Sequence, residues 1–239
     1  TRLTKVTGVQ TCALPILRLL REAFGWLADA HNWTGTVGLG ARLGEHVWYS
    51  VIAVLLASLI AIPAGWYIGH SGHGRGLIVG LTGAARALPT LGLVTLLGIL
   101  LGVGLLGPMI AFVVLAIPSI LAGAYAGIDA IETATRDAAR ANGMTEWQLL
   151  WLVEMPLGLP LLVSGIRSAT LQVVSTATLA AYVGAGGLGR VLFRGLKTQD
   201  YPQMLASSIL VVCLAIAFEF GFALLRQLLA PAHLKDRHR

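Results

Sequence analysis

DAIETATRDAARANGMTEWQLLWLVEMP, residues 129–156, is the one substantial polar segment between long apolar runs of the chain. Its composition predicts two short helices. The first ends at Gly143, because glycine readily adopts the left-handed conformation that follows a helix. The second starts at Thr145, with a glutamine three residues later to complete a capping box, and ends before Pro156. We call this helix–glycine–helix segment, residues 129–156, the elbow.

The composition of the whole chain excludes a soluble domain. Of the 239 residues, 56% are hydrophobic and 12% are charged, and the mean hydropathy is +0.78. A soluble domain has about 25% charged residues. A disordered chain is excluded too, because disorder requires low hydrophobicity. The net charge of +6 comes from scattered basic residues, which favours the lipid bilayer over nucleic acid as a partner. The sequence therefore predicts a multi-pass protein of the cell membrane.

Five apolar segments are long enough to cross a bilayer, since a core of about 30 Å requires about 20 helical residues. They are residues 47–68, 77–101, 108–128, 157–183 and 204–230. The second contains Arg86 and Pro89, so a break or kink is expected there. The runs lack the alternation of barrel strands. We therefore predict an all-α integral membrane protein with about five transmembrane helices.

The chain divides into four parts around these segments. Residues 47–230 form the predicted transmembrane domain, which includes the elbow. Residues 17–46 are an expected extracytoplasmic segment, and residues 231–239 are an expected basic cytoplasmic tail. We interpret residues 1–16 as a non-native leader, because most of them resemble a translated sequencing adapter; the alternative is a genuine N-terminal tail.

The elbow contains an acid-Ala-Ala triplet, a glycine after three further residues, and a proline-ended tetrapeptide nine residues later. These are Asp137-Ala138-Ala139, Gly143 and Val153-Glu154-Met155-Pro156. The spacing resembles the EAA loop of permease subunits of binding-protein-dependent ABC importers, with Asp for Glu, Val for Ile and Met for Leu. Residues 86–93, 115–128 and 171–195 are similar to permeases for the osmoprotectants glycine betaine, carnitine and choline.

This resemblance implies a transport subunit and several partners. The partners are cytoplasmic ABC ATPase subunits, an extracytoplasmic substrate-binding protein, and a second permease subunit that is identical or different. The chain has no GxxxxGK[ST] motif, so it is not expected to be an enzyme, and neither a cofactor nor a metal is expected.

An ABC permease for another small solute, such as an amino acid, stays an alternative function. An ion-driven secondary transporter fits less well, because it predicts internal repeats. A membrane enzyme predicts clustered acids or histidines.

Eight residues of the elbow are candidates for coupling to the ATPase. They are Asp137, Ala138, Ala139, Gly143, Met144, Glu146, Trp147 and Pro156. An exposed aromatic side chain rimmed by charge favours a protein groove, so residues 143–147 are expected to insert into the ATPase. The alternative is a helix on the lipid surface with Trp147 as an interfacial anchor. A cytoplasmic elbow puts the loop around residues 183–202 outside the cell.

Two ionisable residues, Arg167 and Glu219, lie within predicted spans at the same depth, where charges are costly and usually functional. They can form an ion pair, or each can face a water-filled cavity. The fourth span is also the most polar. Its polar face suits either a translocation path or helix packing through small residues, and it contains Ser164, Ser168, Gln172, Ser175 and Thr176.

Two further motifs suggest chemistry that the sequence does not support. Residues 184–189 match GxGxxG, but they follow a membrane span instead of a strand, so a tight turn or gate is expected there and not a nucleotide site. Four histidines are interpreted as solvated residues, mostly in loops, because no further ligands complete a metal set: His31, His46, His70 and His73.

Overall fold

The computed structural model describes residues 8–229, and within that range the chain is helical with no strands. The helices are α1 (Gly8–Ala28), α2 (Leu39–Ser71), α3 (Arg75–Ala87), α4 (Thr90–Leu101), α5 (Leu106–Asp129), α6 (Thr133–Ala141), α7 (Glu146–Leu149), α8 (Met155–Thr176), α9 (Leu188–Thr198) and α10 (Tyr201–Leu229). The predicted basic tail and the first seven residues of the predicted leader lie outside the described residues.

Among the described residues, four helical segments are long and apolar enough to cross a membrane. They are Leu39–Ser71, Leu106–Asp129, Glu146–Val183 and Tyr201–Gln227. Each contains most of one predicted span, so the all-α membrane fold is confirmed. The first begins at Leu39, eight residues earlier than predicted. The last residues of the expected extracytoplasmic segment, 39–46, therefore belong to α2.

The second predicted span is not one helix. It is divided at Leu88 and Pro89 into α3 and α4. The residue before a proline is pushed out of the helical region, and Leu88 has an extended ψ of 123°. The 12 residues of α4 extend about 18 Å at 1.5 Å per residue, which is too short to cross the bilayer core. The predicted break is therefore confirmed, whereas the single long span is wrong.

Helix α5 lies at the centre of the bundle, between α2 and α8. Glycines permit the close approach of α5 to α8: a Cβ atom on Gly165 would lie 2.9 Å from the Cα of Gly123. Similarly, a Cβ on Gly158 would lie 2.9 Å from the carbonyl carbon of Gly127. Small residues of this kind let membrane helices pack through their backbones. The bundle core therefore depends on glycine as much as on large apolar side chains.

Helix α9 is amphipathic and closes one end of the bundle. Its buried face contributes Leu188 and Val191 to a cluster with Leu39 of α2, which Trp26 of α1 and Leu210 of α10 also contact. The opposite face of α9 carries exposed basic side chains. Because α9 follows α8 and the elbow precedes it, the two lie at opposite ends of α8.

Candidate functional site

The elbow has the two helices and the turn that its sequence predicts. Helix α6 ends before Gly143, whose φ of +81° lies in the left-handed region that glycine tolerates. Helix α7 begins with the predicted capping box. The Thr145 backbone N–H donates to Gln148 Oε1 at 2.9 Å, and the Gln148 N–H donates to Thr145 Oγ1 at 3.4 Å. The turn is therefore stabilised at both of its helix ends.

Helix α7 does not end before Pro156, which corrects the sequence prediction. It continues through a π-helical turn, Leu150–Glu154, into α8. At the end of that turn the Met155 N–H donates to the Leu150 carbonyl, one residue further back than in an α-helix. Pro156 follows directly after this turn, as the second residue of α8, so the continuous helix accommodates the proline next to the π-helical turn. The elbow and the membrane helix thus form one continuous rod.

The outer surface of the elbow is apolar and uncovered. Trp147 is 71% exposed, and Trp151 and Leu152 are also exposed. Met144 is half-buried beside them. Of the acid-Ala-Ala triplet, Asp137 and Ala138 are exposed whereas Ala139 is buried. Exposed aromatics on a charged segment are typical of a binding surface.

A buried acid lies at the base of the elbow. The Glu154 side chain is 1% exposed, and its Oε1 lies 2.9 Å from Arg136 Nε of α6. Its Oε2 lies 2.6 Å from Nδ1 of His70, near the end of α2. Arg136 also donates to the carbonyl of Ile128 in α5. Because a buried carboxylate must be paired, Glu154 ties the elbow to α2 and α5.

A second, more exposed pair stabilises the corner of the elbow. The Arg140 guanidinium donates to both oxygens of Glu146, at 2.9 and 3.1 Å. This bidentate hydrogen bond raises the pKa of Arg140 above its ordinary value. His70 Nε2 lies 3.4 Å from Glu146 Oε2, so one imidazole lies between two glutamates. The pair fixes α6 relative to α7.

The interpretation of His70 and His46 as solvated residues is wrong. His70 bonds to Glu154, and the side chain of His46 is fully buried, with Nε2 2.9 Å from the Val174 carbonyl. His31 and His73 are exposed. The only local signal for the His70 site was an acid at the end of the apolar run LLWLV, and nothing in the sequence pairs it with a histidine 84 residues away.

The structure brings Arg167 and Glu219 together within the membrane region. Arg167 Nε lies 2.6 Å from Glu219 Oε2, and a second contact joins Nη2 to Oε1. The two side chains are 39% and 36% exposed, and Arg167 borders a cavity of about 360 Å³ with Ser164 and Arg226. The pair thus joins α8 to α10 at the edge of this cavity.

The polar face of α8 divides into two groups. Ser175 and Thr176 both donate to the carbonyl of Gln172, at 2.9 and 2.8 Å, so their hydroxyls are satisfied locally. Ser168 and Gln172 instead line a cavity of about 300 Å³ between α3, α5 and α8, which Ser119 also borders. Ser164 and Ser168 are exposed. A polar face on a membrane helix is expected to face water or protein instead of lipid.

Residues 184–189 form a tight turn at the far end of α8. Gly184 and Gly187 have φ values of +89° and +78°. The Gly187 N–H donates to Glu45 Oε2 at 2.7 Å, and Arg42 holds the same carboxylate at 2.8 Å. The turn is therefore hydrogen-bonded to the first part of α2.

Comparison with known proteins gives a consistent result. The model of a family described as binding-protein-dependent transport system inner membrane component matches residues 61–234. A glycine betaine/carnitine/choline transport system permease protein, OpuCB of Bacillus subtilis, is 31% identical over 81% of this chain and 89% of its own length. An osmoprotectant import permease protein, OsmW of Salmonella typhimurium, is 30% identical over 80% of this chain and 91% of its own length.

Solved structures show the same fold at lower identity. An inward-facing structure of the MetNI methionine ABC transporter aligns with a TM-score of 0.70 and 20% identity, over 81% of this chain and 96% of that chain. An amino acid ABC transporter with histidines aligns with a TM-score of 0.60 and 16% identity, over 80% and 91% of the two chains. Since the family match covers more than half of the sequence, this chain belongs to the inner membrane components of binding-protein-dependent transport systems and is a multi-pass protein of the cell membrane.

Proposed function

We propose that this chain is the permease subunit of an ATP-driven importer for small osmoprotectants of the glycine betaine, carnitine and choline class. The observation that carries the proposal is the identity of 30% or more to curated permeases with those substrates over about four-fifths of the chain. ATP hydrolysis takes place on cytoplasmic ATPase subunits, and an extracytoplasmic binding protein delivers the substrate.

The elbow is the ATPase docking site in this proposal. Its exposed Trp147 enters a groove of the ATPase, and residues 143–147 form the contact. Closure of the ATPase then displaces α7, and the unbroken helix from α7 to α8 carries the displacement into the membrane. The contact of Glu154 with His70 passes the same displacement to α2. Arg136, which pairs with Glu154, passes it to α5 through the Ile128 carbonyl. The geometry thus supports mechanical coupling without a hinge at Pro156.

The translocation path runs between this chain and a second permease subunit. Ser164 and Ser168 are exposed on α8, although a membrane helix that contacts lipid is expected to present apolar side chains. Ser168 and Gln172 also border a cavity of about 300 Å³ between α3, α5 and α8. A second subunit that faces α8 would enclose this polar surface and complete the path.

Uptake of labelled substrates tests the function. The chain is expressed with its ATPase and binding protein in a host that lacks osmoprotectant import, and uptake of glycine betaine, carnitine, choline and methionine is measured. We expect uptake of at least one of the first three, which stops when the ATPase loses its ability to hydrolyse ATP. Uptake of methionine alone, or uptake that is indifferent to ATP hydrolysis, would contradict the proposal.

A further inference from the structure

Within residues 8–229, a group of unpaired basic side chains lies at the end of the bundle opposite the elbow. Helix α9 presents Arg190, Arg194 and Lys197 at intervals of four and three residues, which places them on one helical face. All three are exposed, and within residues 8–229 none of them forms an ion pair. Helix α9 contains no acidic residue. Three adjacent like charges repel each other, so this face is arranged for an anionic group.

These cations border a wide, open cavity. The cavity has a volume of about 630 Å³ and lies between α9, the residues before the glycine turn, and the start of the loop between α4 and α5. That volume is in the range of about 300–1,000 Å³ that is usual for small-molecule sites. The Arg190 guanidinium donates to the Gly184 carbonyl at 3.0 Å, which holds it at the wall of the cavity.

The same cavity contains a pair of aromatic rings. The ring centroids of Tyr182 and Phe193 are 5.9 Å apart, and the ring planes are inclined at 57°. Tyr182 is 60% exposed, so its ring is open to a ligand. An exposed aromatic face attracts a quaternary ammonium group. Guanidinium groups bind a carboxylate through short, charge-assisted hydrogen bonds.

We propose that this cavity is a binding site of the permease itself for a small zwitterion that carries both a carboxylate and a quaternary ammonium group. Arg190 and Arg194 hold the carboxylate, and the rings of Tyr182 and Phe193 face the ammonium. This site deepens the proposed function and rests on it for the class of solute. It distinguishes glycine betaine and carnitine, which have a carboxylate, from choline, which has none.

Saturation-transfer NMR on the full chain in lipid nanodiscs, without binding protein, tests this site directly. We expect the N-methyl protons of glycine betaine to receive saturation, and choline to bind about tenfold more weakly, because it lacks the group that pairs with guanidinium. The double variant Arg190→Gln/Arg194→Gln should lower glycine betaine binding about tenfold and leave choline unchanged. Arg21→Gln, at an exposed arginine on α1, is the matched control and should change neither.

Three outcomes would overturn the site. The first is saturation of neither solute, and the second is equal saturation of both that the double variant does not alter. The third combines unchanged glycine betaine binding in the double variant with loss of its co-purification with the binding protein, which is measured in a separate experiment. That result would assign the cations to an acidic protein surface. Arg190→Lys/Arg194→Lys, which keeps the charge, should bind with intermediate strength and shows that any loss is not misfolding. Because this assay requires no transport, failure of uptake with intact binding would refute the proposed function and leave the site in place.

Discussion

Among single residues, one buried carboxylate holds the elbow in its position against the membrane helices. Glu154 contacts Arg136 of α6 and His70 of α2, and it is inaccessible to solvent. Removing one partner of a buried ion pair leaves an uncompensated charge, which costs about 3–5 kcal/mol. Other elbow acids are exposed, so their side chains contribute less to stability.

Replacement of Glu154 by alanine should therefore destabilise the protein by about 3–5 kcal/mol, because the half-buried Arg136 would lose its carboxylate partner. Thermal unfolding in detergent measures the effect. Glu132→Ala is the matched control, since Glu132 is an exposed acid that precedes α6, the helix of Arg136, and makes no side-chain capping hydrogen bond. Equal melting temperatures for the two variants would contradict the structural role of Glu154.

The Arg167–Glu219 pair gives a second prediction for individual residues. Glu219→Gln should reduce both membrane expression and uptake, because it leaves the Arg167 charge without a partner within the bundle. The double variant Arg167→Gln/Glu219→Gln should recover much of the expression, since neither charge is then unpaired. Wild-type expression and uptake in the single variant would show that the pair is not required.

At the scale of elements, local patterns predicted helix ends but not the connections between helices. Gly143 and the Thr145 capping box act within a few residues, so the sequence was sufficient to place them. The continuity of α7 with α8 was not predictable from the sequence. A π-helical turn before Pro156 shifts the backbone hydrogen bonds by one residue, and no residue pattern indicates such a turn. Similarly, the contact of His70 with Glu154 joins distant segments and leaves no periodic signal.

The packing of α5 on α8 depends on glycines at their contact. Gly158→Ala would place a Cβ 2.9 Å from the Gly127 carbonyl carbon, so the helices must separate, which costs about 1–3 kcal/mol. We expect a lower unfolding temperature in detergent and reduced uptake. Gly221→Ala on α10, where nothing lies within 4 Å of the added Cβ, is the control. No difference between the two variants would contradict close backbone packing of α5 on α8.

At the scale of the whole molecule, the two ends of the bundle have different chemistry. One end carries the elbow with its exposed tryptophan, and the other carries the glycine turn and the basic face of α9. An excess of basic residues normally marks the cytoplasmic side of a membrane protein. The basic face of α9 opposes that rule if the elbow is cytoplasmic, which is a reason to assign its cations a binding role instead of a topological one.

The proposed coupling requires that the elbow lies in the cytoplasm and contacts the ATPase. The measurement is cysteine labelling and cross-linking in a background without Cys12 and Cys213, with Ala141→Cys on the elbow or Lys197→Cys on α9. In intact cells, a membrane-impermeant maleimide should label the α9 position alone, and the elbow position should cross-link to the ATPase. Labelling of the elbow from outside the cell, without a cross-link to the ATPase, would contradict the account.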